Sequence, residues 1–172
     1  DLQKLIQGNG TISETSNDTG TNLAFGPTLS FQLSLEGRPA GKQADKVFIG
    51  IASGQTTVSP TYILTFTADV PDSGIFSGLS LAGLNPGSIY TAYIKGLSQI
   101  DSGITFTMNP NETSLNDGKP VILISGDLNE DNVINSADYT IARSYYGTTP
   151  ASSNWNARTD LNKDNLINNW DL

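Results

Sequence analysis

Leu29-Ser-Phe-Gln-Leu-Ser-Leu35 alternates apolar and polar residues without a fault. A period of two sends successive side chains to opposite faces, so these seven residues predict a strand with one buried face. Working outward, similar short runs occupy residues 47–52, 62–68, 75–81, 89–95, 104–108 and 121–125. Turn chemistry parts them: Gly37-Arg-Pro-Ala-Gly41, Gly54 to Pro60, Pro71-Asp-Ser-Gly74 and Asn85-Pro-Gly87. About seven short strands with no long helical period among them predict an all-β sandwich over residues 21–125. The first 20 residues are polar and rich in Gly, Ser and Thr, and predict an N-terminal arm.

Composition narrows the chemistry. The 172 residues include no Cys and no His, and the net charge is −8. That excludes a Ser-His-Asp or Cys-His catalytic unit, a His/Cys zinc site and any disulfide framework. An acidic chain is a poor partner for nucleic acid or an anionic membrane surface, and no apolar run of about 18 residues predicts membrane insertion. Charged residues make up only 15%, below the roughly 25% of an average domain, as in β-rich extracellular proteins. With Asp1 rather than Met at its start, the chain is expected to be a mature or excised piece of a secreted, bacterial-type protein. Hard oxygen ligands remain, and these suit calcium or magnesium.

From Gly126 the strand pattern stops and a repeat begins. Asp127-Leu-Asn-Glu-Asp-Asn-Val-Ile-Asn-Ser-Ala-Asp138 recurs 33 residues later as Asp160-Leu-Asn-Lys-Asp-Asn-Leu-Ile-Asn-Asn-Trp-Asp171, identical at eight of twelve positions. An EF-hand-type loop draws oxygen from positions 1, 3, 5, 7 (a backbone carbonyl), 9 and 12. Those positions are Asp127, Asn129, Asp131, Val133, Asn135 and Asp138, then Asp160, Asn162, Asp164, Leu166, Asn168 and Asp171. Position 6 needs a sharp turn, and Asn132 and Asn165 tolerate a left-handed backbone. Position 8, Ile134 and Ile167, is expected to face inward and pair the loops. Two copies matching at every ligand position predict two bound Ca²⁺ ions rather than a pair of solvated turns; Mg²⁺ keeps more water. Residues 136–146 carry apolar residues at helical spacing and stop at Gly147, which predicts a helix after the first loop.

Two stretches resemble known families. Leu84-Asn-Pro-Gly-Ser-Ile-Tyr90-Thr-Ala-Tyr-Ile94 resembles the turn-and-strand of fibronectin type III and other immunoglobulin-like sandwiches, which implies that Tyr90 is a corner tyrosine whose hydroxyl bonds to upstream backbone. A strand running into a calcium loop and then a helix, duplicated with Asp at position 12, resembles the type I dockerin module over residues 126–172. That resemblance implies a small α-helical, calcium-dependent module that binds a cohesin domain and tethers its protein into a cellulosome-like or cell-surface complex. It also implies a partner face at Ser136, Ala137, Arg143 and Ser144, with Asn169 and Trp170 in the second repeat. The chain stops at Leu172, so the module's second helix is expected to be missing.

The residues together predict a non-catalytic pair of modules, a β-sandwich and a cohesin-binding module, belonging to a larger polysaccharide-degrading protein if an enzyme is involved. Asp45, Asp69, Asp72 and Asp101 read as solvated loop acids rather than a glycosidase pair. The alternative is a carbohydrate-binding sandwich with a purely structural calcium repeat, where Tyr62 and Tyr93 are the candidate polysaccharide contacts. Lys46 and Lys95 are candidates for a lysine–asparagine crosslink.

Overall fold

The computed structural model describes residues 12–17 and 20–172. Of the arm expected over residues 1–20, residues 1–11, 18 and 19 lie outside the described residues. Ile12–Asn17 (β1) pairs antiparallel with Gly20–Phe25 (β2) as a separate two-stranded sheet.

Two four-stranded sheets follow. Thr28–Leu35 (β3), Ile75–Ser80 (β6), Glu112–Ser114 (β9) and Val121–Leu123 (β10) form one. Tyr62–Val70 (β5), Asp45–Ser53 (β4), Ile89–Lys95 (β7) and Ser102–Thr107 (β8) form the other, in that order and antiparallel throughout. In the first sheet β6 runs antiparallel to β3, while β9 and β10 both run parallel to it. β9 pairs with the start of β3 and β10 with its end, so together they make one interrupted edge. The interruption is the turn Leu115–Gly118, where Asn116 (φ 55°) and Asp117 (φ 54°) are left-handed. Asn and Asp adopt that conformation more readily than other non-glycine residues.

The alternation at residues 29–35 does what its period requires. Leu29, Phe31, Leu33 and Leu35 are each at most 3% exposed and meet Val47, Ile49 and Ile51 of β4 and Ala92 and Ile94 of β7. Each fully buried aliphatic or aromatic side chain contributes about 1.5–3 kcal/mol of transfer free energy. Phe31 stacks on Phe76 at 5.4 Å between ring centroids. Leu115, Val121 and Leu123 close the edge over this core. Tyr90 is buried, and its hydroxyl accepts the Asn85 backbone N–H at 3.0 Å, five residues upstream.

Ser125 makes the last sheet contact, an antiparallel bridge to Gln99. The N–H groups of Gly126 and Asp127 then both donate to the Ser98 carbonyl, at 2.7 and 3.1 Å, which fixes where the repeat leaves the sandwich. Beyond it the helix Ser136–Ser144 (α1) is followed by turns. It ends two residues short of the expected 146 because Tyr145 N–H turns to the Ala142 carbonyl and Gly147 (φ 79°) leaves the helix. No helix among the described residues is long and apolar enough to cross a membrane.

One expectation about the loops is corrected. Ile167 is fully buried, but Ile134 is 43% exposed. The Ile167 backbone pairs with Gly147 and Thr148, at 2.8 and 3.0 Å, rather than with Ile134. The segment after α1 reaches the second loop first, and Ile134 is left at a surface groove beside Gly126.

Candidate functional site

The two twelve-residue loops fold by the same hydrogen bonds. In the first, Asp127 Oδ2 accepts Asn132 N–H (3.1 Å), Asn129 Oδ1 accepts Asp131 N–H (3.0 Å) and Asp131 Oδ1 accepts Val133 N–H (2.9 Å). In the second, Asp160 Oδ2 accepts Asn165 N–H (3.1 Å), Asn162 Oδ1 accepts Asp164 N–H (2.9 Å) and Asp164 Oδ1 accepts Leu166 N–H (2.8 Å). These are side-chain-to-backbone turns that Asp and Asn make locally, so the pattern needs only the right residue every second position. Position 6 is left-handed in both, with Asn132 at φ 66° and Asn165 at φ 69°; position 4 is too, at Glu130 and Lys163.

Position 12 closes each loop. Asp138 Oδ1 accepts the N–H groups of Leu128 (2.8 Å) and Asn129 (3.1 Å), and its Oδ2 accepts that of Asn135 (2.9 Å). Asn135 in turn caps α1, accepting Ala137 N–H at 2.8 Å, so positions 9 and 12 form the helix's capping box. Asp171 repeats the arrangement with Leu161 and Asn168, and Asn168 accepts Trp170 N–H. Burial pushes the Asp138 carboxyl up, but the N–H groups of Asn135, Asn129 and Leu128 outweigh it and hold the group below its ordinary value. The exposed Asp164 carboxyl is also lowered, first by the Asn162 amide and then by Leu166 N–H.

Burial is where the carboxylates part company. Asp127, Asp138, Asp160 and Asp171 are each at most 3% exposed, whereas Asp131 and Asp164 lie at the surface with Asn129, Val133, Asn135 and Leu166; Asn162 and Asn168 are half-buried. Asp127 Oδ1 is buried with no hydrogen-bond partner. An orphaned buried carboxylate oxygen is costly unless a cation faces it. Three carboxylates, two amides and a backbone carbonyl per loop form an all-oxygen set that suits Ca²⁺. Among the described residues no three acidic side chains converge on one point. Asn129 Nδ2 instead donates to Asp131 Oδ2 (2.8 Å) and Asn162 Nδ2 to Asp164 Oδ2 (3.0 Å), contacts that ligation has to replace.

The sandwich holds the first loop from outside. Lys95, the last residue of β7, places Nζ 2.5 Å from Asp127 Oδ2 and 3.2 Å from Asn132 Oδ1. Asn132 also accepts Asp101 N–H at 2.8 Å and donates its own amide to the Asp101 carboxylate. Arg158 binds Glu130 Oε1 at 2.6 Å and the Leu97 carbonyl, while Ser98 Oγ donates to the Arg158 carbonyl. At the second loop Lys42 Nζ donates to the Lys163 carbonyl at 2.6 Å. None of these contacts has a local signal in the sequence, since each joins residues from 28 to 121 positions apart.

The six residues expected at a partner face are all exposed. Ser136, Ala137, Arg143 and Ser144 share the solvent side of α1, opposite buried Asp138 and Ala142. Trp170, position 11 of the second loop and 83% exposed, lines a groove of about 300 Å³ with Ile134, Tyr139 and Leu172. Tyr62 and Tyr93 lie on the outer face of the β5-β4-β7-β8 sheet, edge-on to one another at 5.8 Å, with Phe48 beside Tyr62. Tyr93 is 4% exposed and its hydroxyl both accepts from and donates to the Thr57 backbone. The Tyr62 ring covers Gly50, where an added Cβ would meet it at 2.5 Å. Burial, then Asp101 and Tyr93, push the Tyr62 hydroxyl above its ordinary value.

The family model of the dockerin type I domain matches residues 125–172. No curated protein matches the chain. Among solved structures, an N-terminal interface mutant of a type II cohesin–X-dockerin complex from Acetivibrio cellulolyticus is similar, with a TM-score of 0.60 and 20% identity over 85% of this chain and 90% of that chain. A C-terminal interface mutant of the type II complex from the same organism gives a TM-score of 0.59 and 17% identity over the same shares. At these identities the likeness is one of fold, and a share of 85% takes in both the sandwich and the C-terminal segment.

Proposed function

We propose that the chain is a non-catalytic, secreted pair of modules in which residues 126–172 bind two Ca²⁺ ions and, so loaded, dock a cohesin domain. The observation that carries this reading is the duplicated hydrogen-bond framework, which sets the same six oxygen-bearing positions around each loop and leaves Asp127 Oδ1 buried without a donor. Asp127, Asn129, Asp131, the Val133 carbonyl, Asn135 and Asp138 would hold one ion. Asp160, Asn162, Asp164, the Leu166 carbonyl, Asn168 and Asp171 would hold the other. Bound calcium supplies the positive charge that lets three carboxylates per loop stay ionised together, so folding of the segment and ion binding are linked. The dockerin type I match over residues 125–172 supports the partner class, as do the two solved structures named above, each a cohesin–X-dockerin complex.

The partner face is assigned to Ser136, Ala137, Arg143 and Ser144, with Asn169 and Trp170 as contacts from the second repeat. Residues 21–125 act as an immunoglobulin-like accessory sandwich; the Tyr90 hydroxyl bond and the parallel β3–β10 edge support that type. The whole tethers a larger protein into an extracellular, cellulosome-like or cell-surface complex. A polysaccharide-binding sandwich is the weaker reading, because Tyr93 is closed off by Thr57 and Tyr62 spends a ring face on Gly50.

The test is a cohesin pull-down with Ca²⁺ and with chelator, alongside circular dichroism. Retention with Ca²⁺ and loss of both retention and helical signal in chelator are expected. Unchanged circular dichroism and unchanged calorimetry in chelator would sink the proposal.

A further inference from the structure

The two loops are an internal control on each other. They carry the same residue at every ligand position except the position-7 carbonyl, and their backbone-to-carboxylate bonds agree within 0.3 Å. Their position-1 carboxylates nevertheless have different neighbours. Asp160 takes N–H groups on both oxygens, from Asp164 on Oδ1 and Asn165 on Oδ2, each at 3.1 Å. Asp127 takes one N–H group, and its Oδ2 also faces the Lys95 ammonium at 2.5 Å; the Lys95 side chain is 25% exposed and the Asp127 side chain 0%. Lys163, position 4 of the second loop where the first has Glu130, and Lys42 add positive charge close to Asp160 and Asp164, but their ammonium groups bond the carbonyls of Ala157 and Lys163 rather than a ligand carboxylate. Among the described residues no ion pair reaches Asp160.

We infer that Lys95 lowers the calcium affinity of the first loop, so that the ion must displace this lysine from Asp127 to load there. The inference rests on the calcium reading above. Calcium affinity in oxygen-ligand loops is tuned by the net charge of the ligand set, and Lys95 cancels one of the first loop's three negative charges. The ammonium is anchored on β7, which the sheet holds in place through β4 and β8. Its contacts with Asp127 and Asn132 place the ammonium at the loop. A fixed unit charge beside a dication's ligand weakens binding by about tenfold even in water-like screening. Loading of the first loop is thereby coupled to the contact between the two modules. The ion and Lys95 contest the same carboxylate, and Asn132, which Lys95 also touches, ties that loop to Asp101.

The test separates the loops by mutation and reads calcium binding by titration calorimetry at fixed ionic strength. Asp160→Asn leaves the first loop as the intact site, and Asp127→Asn leaves the second. Adding Lys95→Met to the Asp160→Asn protein should tighten its site about tenfold. The same change in the Asp127→Asn protein should leave affinity within twofold. Lys95→Arg keeps the charge and should retain the first loop's lowered affinity, which distinguishes charge from loss of packing. Unchanged or weaker binding on adding Lys95→Met to the Asp160→Asn protein would overturn the inference while leaving the calcium reading intact. Absence of calcium heat in both single-loop proteins would overturn both.

Discussion

Position 8 of the repeat holds the same residue in both copies, yet truncating it should have very different effects. Ile167 is fully buried, and its backbone is pinned on both sides by Gly147 and Thr148. Ile167→Ala removes three methyl or methylene groups, about 0.8 kcal/mol each in transfer free energy, from a site whose walls cannot readily close. With the cavity contribution, the loss comes to about 3–4 kcal/mol. Ile134 is 43% exposed and opens onto a groove, so Ile134→Ala forfeits about half the transfer term and leaves no closed cavity, about 1 kcal/mol. The gap of about 2–3 kcal/mol is roughly a 30- to 150-fold difference in folded-to-unfolded ratio. The assay is urea denaturation in saturating Ca²⁺ followed by tryptophan emission. Both tryptophans, Trp155 and Trp170, belong to residues 126–172, so the signal reports that segment without contribution from the sandwich. Equal losses, or a larger loss at Ile134, would refute the asymmetry and with it the packing of the second loop against the segment after α1.

Two further outcomes are expected. Tyr90→Phe keeps the ring beside Phe106 but leaves the Asn85 N–H without its acceptor, and should lower the sandwich's calorimetric stability by about 1–2 kcal/mol; no change would mean that the hydroxyl bond contributes nothing. Asp138 is held below the ordinary carboxylate value of 3.8, so its contribution is fully present above that pH and is lost as pH falls through the lower folded value. Tryptophan emission should therefore hold steady down to about pH 4 and change below it, and Asp138→Asn should shrink that acid limb, leaving the part that belongs to Asp164, which is also held low. An undiminished limb in the variant would assign it to another group.

Features written in consecutive residues are legible in the sequence. Leu29 to Leu35 declares its strand by alternation alone, and β4 to β8 follow from short apolar runs set between turn residues. β9 has no such signal. Glu112-Thr-Ser114 has no periodicity and becomes a strand only because β3 offers it an edge. Nor does the hairpin of β1 and β2 stand out, since β1 is almost wholly polar and the apolar residues of β2, Leu23-Ala-Phe25, run together without alternating. The calcium loops are legible because every bond that shapes them spans ten residues or fewer. The position of Lys95 at Asp127 is not, because it depends on where β7 ends relative to a segment 32 residues away. The exposure of Ile134 has the same origin, since which of two identical residues is buried is decided by what packs against each loop.

The parallel pairing of β10 with β3 has a mechanical side. On the tethering function proposed above, the chain carries tension along its length. That tension enters the sandwich at the start of β3 and leaves by the end of β10 toward Asp127. Because the two strands run in the same direction, the pull draws one lengthwise past the other, and the Val121–Leu33, Ile122–Ser34 and Leu123–Leu35 pairings bear the load together. Antiparallel partners gripped at adjacent ends would instead open one bond at a time, like a zipper. The edge that closes the core is thus arranged to resist shear along the line on which a tether is pulled.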